Sequence, residues 1–226
     1  MTHPLSSDDA LAAAERRGNT YKLLAECYHP PNDELPDLLA DADRQGALEV
    51  DVGALATEIP EDVETLRVDY AKLFVGPFEL LAPPYGSVYL EEGEQVMGNS
   101  TLDVMAHYRQ AGLDVDLDEP ADHVAAELEF VYYLVTTEVE ALADGDLERG
   151  ADSLRKQEQF LTAHLGDWIG EFAADVEENA ETEFYRVLAR ETASFVEDDR
   201  QRLSDRLDRL EDATAGHPSA SDADDA

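Results

Sequence analysis

An all-α globular bundle is the fold this sequence predicts, and three observations carry that expectation. Apolar residues recur every three or four positions through most of the chain, no strand-like alternation or internal repeat stands out, and the periodic segments stop at proline or glycine. With 226 residues, 43% of them hydrophobic, the chain can bury a sizeable core. It is expected to fold as one domain of about eight to ten helices in two closely packed lobes.

The first helix spans residues 10–28, where Leu11, Ala14, Tyr21, Leu24 and Tyr28 fall near helical spacing. His29-Pro30-Pro31 stops it, because proline lacks an N–H and restricts the residue before it. Residues 35–44 and 50–58 read as short helices. Residues 62–74 form a longer one, with Val63, Leu66, Tyr70, Leu73 and Phe74 on one face and Gly76-Pro77 at its end. From Val75 to Leu90 the chain sets Gly76, Pro77, Pro83, Pro84 and Gly86 among Phe78, Tyr85, Val88 and Tyr89. This stretch is too rigid and irregular for helix, and too apolar for a solvated loop. It should pack against something, either as the wall of a peptide or ligand groove or as a lid over the core.

Asn99 or Ser100 can cap a helix over residues 101–111 that Gly112 terminates. An acidic connector over residues 114–119 leads into Glu119-Pro120-Ala121-Asp122-His123. Pro120 suits a first helical position, and Val124, Leu128, Val131, Tyr132, Val135, Val139 and Leu142 follow at helical spacing. Asp122 and His123 are therefore expected in the first turn. There the helix dipole favours a carboxylate, and an imidazole can bond to backbone, to a ligand or to the adjacent acid. Capping by Asp122 with packing by His123 is one reading; a binding surface is the other. Gly145 and Gly150 mark a turn before two long helices, residues 152–176 and 180–211, which carry Phe160, Trp168 and Phe172, then Phe184, Leu188 and Phe195. The expected lobes are residues 8–113 and 120–212, followed by a disordered acidic tail over residues 213–226.

The net charge of −37 arises from 53 acids against 16 bases, of which only Lys22, Lys72 and Lys156 are lysines. Such a surface repels nucleic acid and anionic membranes, which are excluded as partners. Acids in every segment, with lysine nearly absent, point to a cytoplasm of molar salt of the haloarchaeal kind. There a screening length of about 3 Å removes most self-repulsion, so only locally focused charge bears on function. Cys27 is the single cysteine, which excludes an internal disulfide and a zinc finger and suits a core position. The first ten residues hold no basic segment, apolar run or twin arginine, and no apolar run nears bilayer-spanning length. A cytoplasmic location without stable membrane insertion is expected.

Catalytic and metal chemistry find little support. His123 and Glu127 stand four apart on one helix, yet a di-metal helical site needs two Glu-x-x-His pairs, and Glu26 to His29 is the single one. No phosphate-binding Gly-x-x-x-x-Gly-Lys loop and no Gly-x-Ser-x-Gly elbow occurs. No metal and no enzymatic activity are expected.

Four segments, taken in order, add a resemblance. They are Tyr70-Ala71-Lys72-Leu73-Phe74-Val75-Gly76-Pro77, Pro83-Pro84-Tyr85-Gly86-Ser87-Val88-Tyr89, Gly98-Asn99-Ser100-Thr101-Leu102 and Glu119-Pro120-Ala121-Asp122-His123. Together they closely resemble the TorD/DmsD family of cytoplasmic redox-enzyme maturation chaperones, over about residues 15–200. The resemblance implies an all-helical fold and a chaperone that binds the twin-arginine signal peptide of a molybdopterin oxidoreductase, of the dimethyl sulfoxide or trimethylamine N-oxide reductase type. It would hold the precursor for cofactor insertion before Tat export. The implied partner is that signal peptide with its precursor, and the chaperone would be a monomer or dimer. No cofactor is implied beyond weak GTP binding. By the family pattern, Tyr70, Leu73, Phe74, Pro84, Tyr85, Ser87, Asp122 and His123 belong to the peptide-binding surface or its support. A signal peptide offers two arginines and then an apolar run. Asp122 and Glu119 would meet the arginines, while Tyr85, Tyr89, Leu73 and Phe74 would receive the apolar part. Position 85 varies among relatives, so the fine specificity stays open. A NarJ-type nitrate reductase assembly chaperone and a nucleotide- or metal-handling helical protein remain the alternatives.

Overall fold

The structure, a computed structural model, describes residues 7–46, 48–60, 62–76, 80–91, 98–113 and 119–215. The acidic connector before Glu119, Pro77 and Phe78 of the aromatic segment, and the tail beyond residue 215 lie outside the described residues. Among those described, the chain forms α1 (Ser7–Cys27), α2 (Leu35–Gln45), α3 (Val52–Thr57), α4 (Val63–Tyr70), a π-helical turn (Ala71–Val75), α5 (Gly86–Leu90), α6 (Asn99–Gln110), α7 (Val124–Asp144), α8 (Leu147–Ala163), α9 (Leu165–Asn179) and α10 (Glu183–Ala215). The one strand-like feature described is an isolated antiparallel bridge between Tyr85 and His123. The all-α expectation holds.

Local chemistry sets most helix ends. Asp51, Asp62 and Asp146 each accept a hydrogen bond from a backbone N–H in the first turn of the helix they precede. Asp69 acts across the chain: its carboxylate accepts from the N–H groups of Glu181 and Thr182 and from the Thr182 hydroxyl, just ahead of α10. Gly145 ends α7 at φ 71°, a left-handed conformation that glycine reaches without a Cβ clash.

Helix α7 lies at the centre, packed most extensively on α1 and then on α8, while α10 runs along α9 and α8. One continuous apolar cluster extends from Tyr21 to Leu203, with Trp168, Tyr21, Tyr28, Phe160 and Phe172 among its fully buried side chains. Cys27 is buried in it. A charged network threads the same interior. Arg17 of α1 pairs with Glu138 of α7 and, at 3.3 Å, with Asp199 of α10, and it donates to Gln157 of α8 at 2.7 Å. Tyr21 donates to Asp199 at 2.9 Å, and Arg206 meets the other oxygen of Glu138 at 2.7 Å. Buried charges persist only when paired in this way.

Four sequence expectations change. Residues 86–90 are helical, although glycine and proline around them argue against it. The helix expected over residues 152–176 is two, broken at His164 (φ −132°, ψ −106°). Gly166 allows the break, since a Cβ there would lie 2.4 Å from the Leu161 carbonyl oxygen. Gly150, expected in a turn, sits inside α8. Helix α10 also runs to Ala215, into the first residues of the expected tail.

Candidate functional site

The two segments that the sequence sets 35 or so positions apart meet along an extended backbone contact. Gly86 N–H donates to the Asp122 carbonyl and Val124 N–H to the Pro84 carbonyl, each at 2.9 Å, bracketing the Tyr85–His123 bridge. Pro120 does not begin the helix. Its carbonyl closes a turn with His123 N–H at 3.0 Å, and the chain then extends to reach Tyr85, so α7 starts at Val124.

This later start exchanges the expected roles of Asp122 and His123. His123 is the cap: its Nδ1 accepts from Ala125 N–H at 3.2 Å. An accepting Nδ1 requires a neutral ring, and burial, reinforced by the charge of His29, pushes the His123 pKa down to about 4. Asp122 instead caps α5 from a distance, its Oδ2 accepting from Ser87 N–H at 2.8 Å. This bond explains why so short a helix forms amid glycine and proline. Asp122 is completely buried, so the direct pairing with peptide arginines expected of it does not fit its position.

Behind the contact, Glu127 is buried and its Oε2 accepts from Trp168 Nε1 at 3.1 Å. Burial, with the neighbouring Asp122 charge, raises its pKa well above the ordinary carboxylate value, which favours the neutral acid. Among the described residues no group of three or more His, Cys, Asp or Glu side chains could hold a metal ion. Gly86 completes the packing: a Cβ there would lie 2.9 Å from Trp168 Nε1.

The outer layer is the part a ligand can touch. Tyr85 is half-buried, its ring edge-on to His123 at 5.4 Å between centroids, and its hydroxyl donates to Glu119 Oε2 at 3.3 Å. Burial and the Glu119 charge push the Tyr85 pKa up to about 12. Glu119 is exposed. Tyr70, also buried, donates to the Tyr28 carbonyl at 3.3 Å, and burial with the charge of Glu119 pushes its pKa up to about 12. His29 joins the same face, its Nε2 3.0 Å from Glu129 Oε1, with both side chains about half exposed (47% and 50%). That pairing raises the His29 pKa, with help from Glu26 and Glu119.

Of the ten residues expected at the site, Tyr85, Ser87, Glu119, Asp122 and His123 come together directly, with Pro84 and Tyr70 in support. Leu73 and Phe74 are corrected to core positions. Phe74 packs against Tyr28, Tyr70, Phe172 and Tyr185, and Leu73 is fully buried, so neither offers a wall to a peptide. Tyr89 turns to α9, stacked on Trp168 at 5.6 Å and donating to Asp175 at 3.1 Å. Sequence reasoning did not single out His29 and Glu129, which stand 100 positions apart with no local pattern to join them.

Comparison with known proteins shows what the chain as a whole is similar to. The sequence profile of the family described as the nitrate reductase delta subunit matches residues 41–174. The chaperone protein TorD of Shewanella pealeana is 29% identical over 215 residues, covering 84% of this chain and 91% of that protein. The Tat proofreading chaperone DmsD of Salmonella typhimurium is 28% identical over 199 residues, covering 84% and 88%. A crystal structure described as a redox enzyme maturation protein from Archaeoglobus fulgidus superposes with a TM-score of 0.55 at 28% identity, over 80% of this chain and 93% of that one.

Proposed function

This chain belongs to the nitrate reductase delta subunit family, and from that membership we propose that it is a redox-enzyme maturation chaperone. It binds the twin-arginine signal peptide of a molybdopterin oxidoreductase, of the dimethyl sulfoxide or trimethylamine N-oxide reductase type, and retains the precursor in the cytoplasm until the cofactor is loaded and Tat export can follow. It works by binding, not by catalysis. The observation that carries this reading is the Tyr85–Glu119–His123 face, where an exposed carboxylate stands beside an aromatic ring held on a rigid, buried support. A carboxylate accepts both N–H groups of a guanidinium in a fork, and the adjacent ring adds about 0.5–2 kcal/mol of cation–π attraction.

The test is isothermal titration of the full chain, in molar KCl, with a synthetic peptide of the twin-arginine leader of a dimethyl sulfoxide or trimethylamine N-oxide reductase. Saturable binding is expected; heats no greater than dilution would overturn the proposal. A NarJ-type chaperone is the second reading, favoured by the description of the matching family profile. It predicts preference for the amino-terminal peptide of a nitrate reductase in the same titration.

A further inference from the structure

Beside the Tyr85 face lies a groove between the C-terminal part of α1 and α2, with a volume of about 530 Å³. That size falls in the range, about 300–1,000 Å³, of cavities that take up a small ligand or a few side chains. Its floor is apolar. Leu23 and Leu35 are buried beneath it, whereas Leu38 stands 40% exposed within it. A leucine left open inside a concavity can be covered by one partner together with its surroundings, unlike a solitary leucine on a convex surface.

The rim is acidic. Glu26, Glu34 and Asp41 line it; Asp41 is paired with Arg44, whereas Glu26 and Glu34 make no ion pair among the described residues, and Lys22 is the one lysine or arginine in the lining. Lys22 is engaged elsewhere, its Nζ 5.9 Å from the centre of the Tyr132 ring. His29 belongs to both surfaces: it lines the groove, and it meets Glu129 while sensing Glu119 and bearing on His123. An apolar floor under an acidic rim fits a peptide whose apolar run is flanked by cations.

We infer that this groove receives the apolar run of the leader whose arginines sit at Glu119, the peptide passing over His29 and Glu129 on the way. The inference rests on the function proposed above and adds a second subsite on α1 and α2. It also moves the apolar contacts away from Leu73 and Phe74, which the core has already claimed.

Two fluorescent synthetic peptides test it on the full chain in molar KCl. One carries two arginines followed by an apolar run of about ten leucines and alanines, the length of a signal-peptide core. The other keeps the arginines and replaces the run with serine and glycine. Leu38→Asp is expected to weaken the first peptide about tenfold or more and leave the second unchanged, whereas Tyr85→Ala weakens both. Leu38→Ala should weaken the first peptide less, in the same direction, and both Leu38 variants should keep the parent thermal midpoint because the site is exposed. Parent-like binding of both peptides by Leu38→Asp, with Tyr85→Ala weakened, overturns the groove and leaves the chaperone reading standing. Failure of the parent to bind either peptide overturns both. A dimer, seen by light scattering, that Leu38→Asp abolishes without altering peptide affinity would assign the groove to a second copy of the chain and overturn the inference.

Discussion

His123, the cap of α7, and Glu127, in its first turn, pull the pH dependence of stability in opposite directions. Burial holds the His123 pKa at about 4, below its ordinary value. The unfolded chain therefore takes up a proton near pH 6.5 that the folded chain refuses, and stability present above pH 6.5 is lost as pH falls toward 4, by up to about 3 kcal/mol. His123→Asn keeps a capping oxygen and removes the titration. Its thermal midpoint is expected to fall less than the parent's between pH 6.5 and 4; parallel curves would contradict this. Burial raises the Glu127 pKa well above the ordinary carboxylate value. Here the unfolded chain releases its proton near pH 4.5 while the folded chain keeps it, so stability is lost as pH rises above 4.5. Glu127→Gln still accepts from Trp168 and cannot ionise, so its midpoint at pH 7 should exceed the parent's. A lower midpoint would mean that the acidic proton itself is needed. Asp122 separates structure from recognition in the same way. Asp122→Asn retains an oxygen for Ser87 N–H and should stay near parental stability, whereas Asp122→Ala leaves that buried donor unmet, at a cost of about 1–3 kcal/mol.

The short helix α5 and the paired helices α8 and α9 show how far periodicity carries and where it stops. Helices α1, α7 and α10 are readable from the spacing of Tyr21, Leu24 and Tyr28, of Leu128, Val131 and Val135, and of Phe184, Leu188 and Phe195, because each buries a continuous stripe on its neighbours. Helix α5 is not readable. Its five residues are too few for a period, and what stabilises it is a carboxylate from the start of another helix, 35 positions away. The break at His164 is hidden for the reverse reason: Phe160, Leu161, Leu165 and Trp168 are all buried, so the apolar pattern continues across it. Two of the four motifs, residues 83–89 and 119–123, meet in the fold, but exposure is a tertiary property. Nothing in the local pattern distinguishes Tyr85, which faces outward, from Phe74, which sits in the core. Trp168 ties these elements to one another, as partner of Glu127, stacking surface for Tyr89 and neighbour of Gly86. Trp168→Ala is expected to cost about 3–5 kcal/mol, measured by denaturant unfolding. A loss under about 1 kcal/mol would mean the site is not built on that ring.

Across the whole molecule, the −37 net charge and the interior network around Arg17 answer to different physics. Surface self-repulsion is screened within about 3 Å at 1 M salt, whereas buried pairs are screened little. The thermal midpoint should therefore rise with KCl toward the molar range and then level off, while Arg17→Met, which removes the cation that Glu138 and Asp199 share, destabilises at every salt concentration. A midpoint independent of KCl would contradict the reading of the acidic surface as an adaptation to salt. Screening also decides how a leader is held. Diffuse surface charge contributes little in molar salt, so on the proposed function recognition would rest on contacts made at Tyr85 and Glu119, on their buried support and on apolar burial.

The most direct measurement is a double-mutant cycle by isothermal titration in molar KCl. It pairs the full chain and its Glu119→Gln variant with the native twin-arginine leader and with the same leader carrying glutamine in place of both arginines. Glu119→Gln is expected to weaken the native leader by about fivefold to tenfold, the worth of roughly 1 kcal/mol, and to leave the glutamine leader unaffected. Equal loss for both leaders, or none for either, would contradict recognition of the arginines at the Tyr85–Glu119–His123 face.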